Sequence, residues 1–205
     1  MSSAASSAAP AGADPAMLTP TQAARRERVI RAALELGAEG GYDAVQMRDV
    51  AARSEVALGT IYRYFSSKDH LLAAALVTWT EDLERQVARR PPKGRTPSDR
   101  VGDVLRRATQ GMARQPQLTE AVVLAISSPD RGAASCQGDV AASMARVMDR
   151  AIPDDLDPAV RADVVRVLNF VWYGALLGWV NGWSGTDDVG REITSACRLL
   201  LDQFD

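Results

Sequence analysis

The side chains able to do chemistry are few, and they do not assemble a catalytic or metal centre. His70 is the only histidine in 205 residues, and Cys136 and Cys197 stand far apart, outside any CxxC spacing. This leaves nothing from which to build a zinc site or a histidine-dependent nucleophile. No Gly-rich phosphate loop is present either, so no cofactor is expected and an enzyme is disfavoured. Two isolated thiols without a disulfide framework suit a reducing cytoplasm. By contrast, Leu58-Gly59-Thr60-Ile61-Tyr62-Arg63-Tyr64, with Lys68 beyond it, gathers groups suited to nucleic acid. The glycine lets backbone approach DNA, and the threonine donates to a phosphate or touches a thymine methyl. The arginine reaches a base edge or a phosphate, and the tyrosine hydroxyls reach phosphate oxygens. Lys68 adds a cation near a helix start, where exposed amides already favour an anion.

Bulk charge does not announce such a partner. The formal net charge is −2, and eight basic residues meet seven acidic ones between Thr21 and His70. Placement must do what net charge does not. Arg25, Arg26 and Arg28 stand either as a backbone-tracking group or as a solvated helix start. Composition, at 46% apolar and 24% charged, is that of a globular protein. Residues 1–20 are rich in Ala, Ser, Pro and Gly and lack the basic start and apolar core of a signal peptide. They read as a disordered arm.

The elements that must position these groups follow from helical periodicity. Thr21–Leu36 is a predicted helix closed by Gly37, Gly40 and Gly41. Gln46–Arg53 and Leu58–Phe65 are short helices joined by a tight turn at Ser54-Glu55-Val56-Ala57. Val50 and Ala51 are expected to pack on Val56 and Ile61, which makes a helix-turn-helix with Leu58, Gly59, Thr60 and Arg63 outward. The same spacing also admits a plain helix start with core tyrosines. Ser66 is expected to cap the next helix, with Asp69 as its capping-box partner, and that helix continues to Arg90. Further helices are predicted over Pro97–Arg114, Leu118–Ser127, Gly132–Ala151, Pro158–Trp183 and Thr186–Phe204, with a loop at Pro153-Asp154-Asp155. No stretch alternates at period two, so no sheet is expected.

The run from Gly41 to Leu72, GYDAVQMRDVAARSEVALGTIYRYFSSKDHLL, resembles the DNA-binding signature of the TetR family of regulators. The resemblance implies an all-α fold with a three-helix head over residues 21–70 and a six-helix ligand-binding and dimerisation body over residues 71–205. It also implies a homodimer on an operator and release by a small hydrophobic effector. Carried over to this chain, the operator contacts are Gln46, Arg48, Leu58, Gly59, Thr60, Tyr62, Arg63, Tyr64 and Lys68. Gln46 departs from the threonine more usual there, so sequence preference at that position differs. Gly40–Arg48, Arg114–Ala121, Val171-Trp172 and Leu176–Trp179 further resemble an actinobacterial branch of the family that represses cholesterol catabolism. That implies a steroid-derived effector or its coenzyme A thioester. The chain departs from this branch around Ser127 to Gln137.

In the body, Pro158–Trp183 is apolar around most of its circumference and must be buried on several sides. Its longest apolar stretch, Val164 to Trp183, is interrupted by Arg166, Asn169 and Asn181, and the unbroken part is too short for a bilayer, so no membrane partner is expected. Gly174, Gly178 and Gly182 recur at intervals of four, and Ile193, Cys197 and Leu200 lie on one face of the last helix. The two helices are expected to form a dimer seam, with intramolecular core as the other reading. Met112, Val122, Ile126, Met144, Met148, Trp172, Tyr173 and Leu176 are candidate pocket residues, and equally ordinary core. Regulation of efflux or other metabolic genes by an unrelated ligand stays open, as do a helical enzyme using carboxylate or serine chemistry and a helical adaptor.

Overall fold

Helix starts are written into the sequence by polar side chains followed by proline. Thr19 and Gln22 form a reciprocal capping box before Pro20, and Thr96 and Asp99 form another before Pro97. Asp130 and Asp157 accept the first amides of their helices. The computed structural model describes residues 17–152 and 156–204. Residues 1–16 of the predicted arm and the loop at 153–155 lie outside them. Among the described residues there are nine α-helices and no strand: α1 Pro20–Ala44, α2 Met47–Ser54, α3 Leu58–Tyr64, α4 Lys68–Arg89, α5 Pro97–Ala113, α6 Pro116–Ile126, α7 Arg131–Asp149, α8 Pro158–Val180 and α9 Thr186–Leu201.

Several helix boundaries differ from expectation, among them the start of α6 at Pro116, and three of them have a visible cause. The first helix does not stop at Gly37, because Gly37 is a crossing point: a Cβ there would lie 2.9 Å from Leu118 Cδ1 of α6. The break comes at Gly40 and Gly41, where Gly41 takes φ 70° and turns Tyr42 back towards α4. The fourth helix is capped by Ser67, which accepts the His70 amide at 2.9 Å, and not by Ser66. Asp69 is thereby released from a capping box. The eighth helix ends at Val180 and not at Trp183. The Trp183 amide returns to the Gly178 carbonyl at 2.9 Å and the Gly182 amide to Trp179 at 3.0 Å. Gly182, at φ 73°, is therefore the left-handed residue that ends the helix, outside the Gly174 and Gly178 stripe.

One continuous core links all nine helices. Its centre is α4, in which Leu71 to Leu76 are all buried. The helix packs against α1 on one side and α6 and α7 on the other. Three consecutive alanines, Ala73, Ala74 and Ala75, let those neighbours approach closely. α9 packs on α5 and α8 and buries Val189, Ile193, Cys197 and Leu201.

Glu55, in the turn between α2 and α3, holds a left-handed backbone at φ 54°. A side chain is strained there by about 1–2 kcal/mol, against about 0.4–1 kcal/mol of added unfolded-chain freedom for glycine. Glu55→Gly is expected to raise the thermal midpoint, with a net gain on the order of 0.5–1 kcal/mol. An unchanged or lower midpoint contradicts this account of the turn.

Candidate nucleic-acid interface and effector cleft

The helix-turn-helix is held from inside by Val50, Val56 and Ile61, all buried, and by Phe65, which has no exposure. Phe65 receives the Tyr64 ring edge-on at 6.3 Å, the His70 ring at 5.5 Å and the Arg26 guanidinium at 5.2 Å. With that core fixed, Gln46, Arg48, Gly59, Tyr62 and Arg63 are exposed and Leu58 and Thr60 half-buried. A Cβ at Gly59 would meet nothing within 4 Å, so its small size is not required by the protein's own packing. Gln46 Nε2 donates to the Asp43 carbonyl at 2.8 Å, which orients its side chain at the start of α2. The Tyr64 ring belongs to the core, at 7% exposure.

The basic residues of α1 do not form a common face. Arg25 is exposed, Arg26 turns onto Phe65, and Arg28 Nε donates to the Ser54 carbonyl at 3.4 Å. The last two brace the head from behind.

Lys68 and its neighbours lie where the head meets the rest of the molecule. Lys68 Nζ sits 3.6 Å from the Tyr42 ring centroid and donates to the Tyr42 carbonyl at 3.2 Å. The Tyr42 hydroxyl donates to Asp69, whose second oxygen accepts from Ser128 Oγ at 2.6 Å. Burial, reinforced by the Asp69 bond, pushes the Tyr42 hydroxyl up to about 12. His70 Nδ1 accepts the Ser66 amide at 3.1 Å. Gly132 of α7 lies against the same ring, since a Cβ there would come within 2.6 Å of it.

In the body, a small apolar cleft with about 40 Å3 of free volume, partly open to solvent, lies between α1, α4, α5 and α6. Leu34, Leu76, Trp79 and Leu118 line it together with Met112 and Val122 of the predicted set. The remaining candidates do not. Ile126, Met144, Met148, Trp172 and Leu176 are buried in the shared core, and Trp172 Nε1 donates to Thr109 Oγ1 at 3.0 Å. Tyr173 reaches Ser127 Oγ at 2.6 Å near the surface. Met144 and Met148 fill space between packed helices, which is the other use of a flexible thioether.

The predicted seam residues also need correcting. Ile193 and Cys197 are 2% and 1% exposed, turned into their own protomer, and so unable to face a partner. Burial raises both thiols, Cys197 to about 12, which keeps them protonated and unreactive. The exposed apolar groups are instead Phe170, Trp183 and Leu199, with Gly174 open and Leu200 half-buried. α8 is long and apolar enough to cross a membrane by length and composition alone, a test that a lone apolar helix of a repressor also passes.

Residues 29–75 match the family "Bacterial regulatory proteins, tetR family", and residues 94–200 match "Tetracyclin repressor-like, C-terminal domain". The chain belongs to the TetR family. It is 40% identical over 180 residues to the HTH-type transcriptional repressor KstR of Rhodococcus jostii, covering 88% of this chain and 84% of that one. It is 35% identical to the KstR of Mycobacterium tuberculosis over 90% of this chain and 84% of that one. A TetR regulator from Rhodococcus sp. RHA1 superposes with TM-score 0.81 at 32% identity, over 90% of this chain and all of that one. FadR of Thermus thermophilus, solved with lauroyl-CoA, shares the fold with TM-score 0.66 at 23% identity, over 85% and 92% of the two chains. The KstR relatives are transcriptional repressors, so a DNA-binding regulator and not an enzyme is the class to which the chain belongs.

Reading the sequence missed Tyr42, Asp69 and Ser128 as a group, because Asp69 is 27 positions from one partner and 59 from the other. It also missed Phe65 as the pillar of the head, although an aromatic directly after α3 is a local signal for one. Burial lowers the His70 pKa below its ordinary 6.5, with Arg26 adding to the shift and Asp130 opposing it. A depressed histidine favours the unfolded chain once that chain protonates. Stability is therefore full above pH 6.5 and falls as pH drops below it. Since His70 is the only histidine, denaturant melts of His70→Gln should lack this slope above about pH 5, before the carboxylates titrate. An equal slope in both proteins contradicts it.

Proposed function

We propose that this TetR-family repressor binds a pseudo-palindromic operator as a cytoplasmic homodimer and is released by a hydrophobic effector. The observation that carries the reading is the α3 surface: Gly59, Tyr62 and Arg63 exposed on a helix whose back is locked by Ile61 and Phe65. A rigid short helix offering a close-approach glycine and an arginine is built for the major groove. In this reading residues 21–70 form the head and residues 71–205 the body. Gln46, Arg48, Leu58, Thr60 and Lys68 complete the contact surface, with the core residue Tyr64 supporting it from behind. The partner copy covers Phe170, Trp183 and Leu199, which stand exposed on α8, α9 and the turn between them.

The effector enters the cleft beside Met112 and Val122. Its chemistry follows the resemblance to the cholesterol-responsive branch: a steroid-derived acid or its coenzyme A thioester. The cleft's free volume, about 40 Å3, is far below that of ligand pockets, about 300–1,000 Å3. A steroid nucleus therefore parts α4 from α5 and α6 as it enters. That movement changes the spacing of the two heads and spoils their fit to successive grooves.

Gel shift of the DNA flanking its own gene tests the reading. Arg63→Ala should weaken specific binding by about 1–3 kcal/mol, and Lys68→Ala should lower the salt slope by roughly one. Absence of a sequence-specific shift contradicts the DNA reading. Leu199→Glu should give a monomer in light scattering and lose operator binding, and a persisting dimer contradicts the seam. Steroid acyl-coenzyme A esters should release the shifted DNA, less so from Val122→Trp. Release by an unrelated compound alone removes the steroid assignment.

A further inference from the structure

Asp69 receives hydroxyls from both sides of the head–body junction. The Tyr42 hydroxyl reaches it from the end of α1, and Ser128 Oγ reaches it at 2.6 Å from the turn after α6. Tyr42 is delivered there by the left-handed turn at Gly41, and its ring then lies 3.6 Å from the Lys68 ammonium. One of the three ammonium donors is used on the Tyr42 carbonyl at 3.2 Å, which leaves two for another acceptor. Lys68 is thus held at its head, by a tyrosine whose other end is tied to the body.

We propose that Tyr42, Asp69 and Ser128 are positioning residues that set Lys68 for its DNA phosphate contact and make that setting depend on the position of α6. The proposal rests on the DNA-binding reading above and names a device within it.

Three observations support it. The Tyr42 hydroxyl keeps its proton across the working pH range, so it is a permanent donor to Asp69. Hydrogen bonds to an ionised carboxylate are short and stronger than neutral ones. The junction also has no slack. Gly132 abuts the Ser66 hydroxyl and the His70 ring so closely that a Cβ would lie 2.5 to 2.6 Å away. Finally, the cleft and the relay lie at opposite ends of α6. Leu118 and Val122 line the cleft, and Ser128 follows the end of the same helix. Ten residues at 1.5 Å per residue separate Leu118 from Ser128, about 15 Å. Displacing α6 at the cleft therefore withdraws Ser128 from Asp69, and the Tyr42 ring loses the bond that holds it under Lys68.

The test is fluorescence anisotropy of the intact protein on a duplex from the DNA flanking its own gene. It compares wild type, Ser128→Ala, Ser128→Thr, Tyr42→Phe, Asp69→Asn and Lys68→Ala, with the Ser128→Ala/Lys68→Ala double variant. Thermal melts run alongside, because Ser128 Oγ also accepts the Asp130 amide at 3.2 Å. Ser128→Ala, Tyr42→Phe and Asp69→Asn should each weaken binding about three- to tenfold, as expected for one lost hydrogen bond. Ser128→Thr should restore it. In the Lys68→Ala background, Ser128→Ala should have no further effect. Wild-type affinity in Ser128→Ala overturns the relay, as does its full loss persisting without Lys68. If wild type itself binds no duplex, the DNA reading falls and the relay with it. Failure of the relay alone leaves wild-type binding intact.

Discussion

The structure depends on burying α4 along one stretch from all sides. Leu71 to Leu76 have no solvent-facing side, so the helix that leaves the head is also the central helix of the body. A helix so enclosed cannot shift at one end without its neighbours shifting, because a core at crystal-like density has no room to absorb the change. Its far end is fixed as well. Arg107 donates to the Arg90 and Pro91 carbonyls at 2.8 and 3.1 Å, and buried Asp103 holds Arg107 while accepting the Lys93 amide. These bonds satisfy carbonyls at the end of α4 that no further turn would reach. They also engage Arg107 within the protein.

The α3 signature was readable because its residues are contiguous and their types have few other uses together. Helix existence was readable for the same local reason at Pro97 and Pro158, while the Thr19-Pro20 start of α1 reads as part of the arm. What local pattern does not carry is the identity of the neighbour. Gly37 has the look of a stop signal, yet it is where Leu118 of a distant helix crosses. Ile193 and Cys197 mark an apolar face, and periodicity cannot say whether α5 of the same chain or a second copy covers it. Gly182 continues a spacing of four past the point where the backbone has left the helix. In each case a long-range contact or a change of φ decides, and neither is written into a window of a few residues.

The candidate pocket shows the same limit in another form. Eight apolar or amphipathic residues on several helices suggested a cavity, and only Met112 and Val122 face the cleft. The rest are what helical bundles use to fill space, and Trp172 even spends its one donor on Thr109 in the core. The cleft lies where α4 is flanked by α1, α5 and α6, beside the stretch that must stay enclosed. On the proposed reading, an apolar effector there competes directly with the packing that holds the head in place, so its binding and the head's position draw on the same contacts.

Hydrogen exchange of the intact protein, free and bound to the DNA flanking its own gene, tests this most directly. If α4 joins head and body as one mechanical unit, DNA should slow exchange in α2 and α3 and also at the start of α4 and around Ser128 to Gly132. Those last residues lie in the body, outside the proposed DNA-contact surface. Protection confined to residues 46–64, with exchange at residues 127–132 unchanged, would contradict the account.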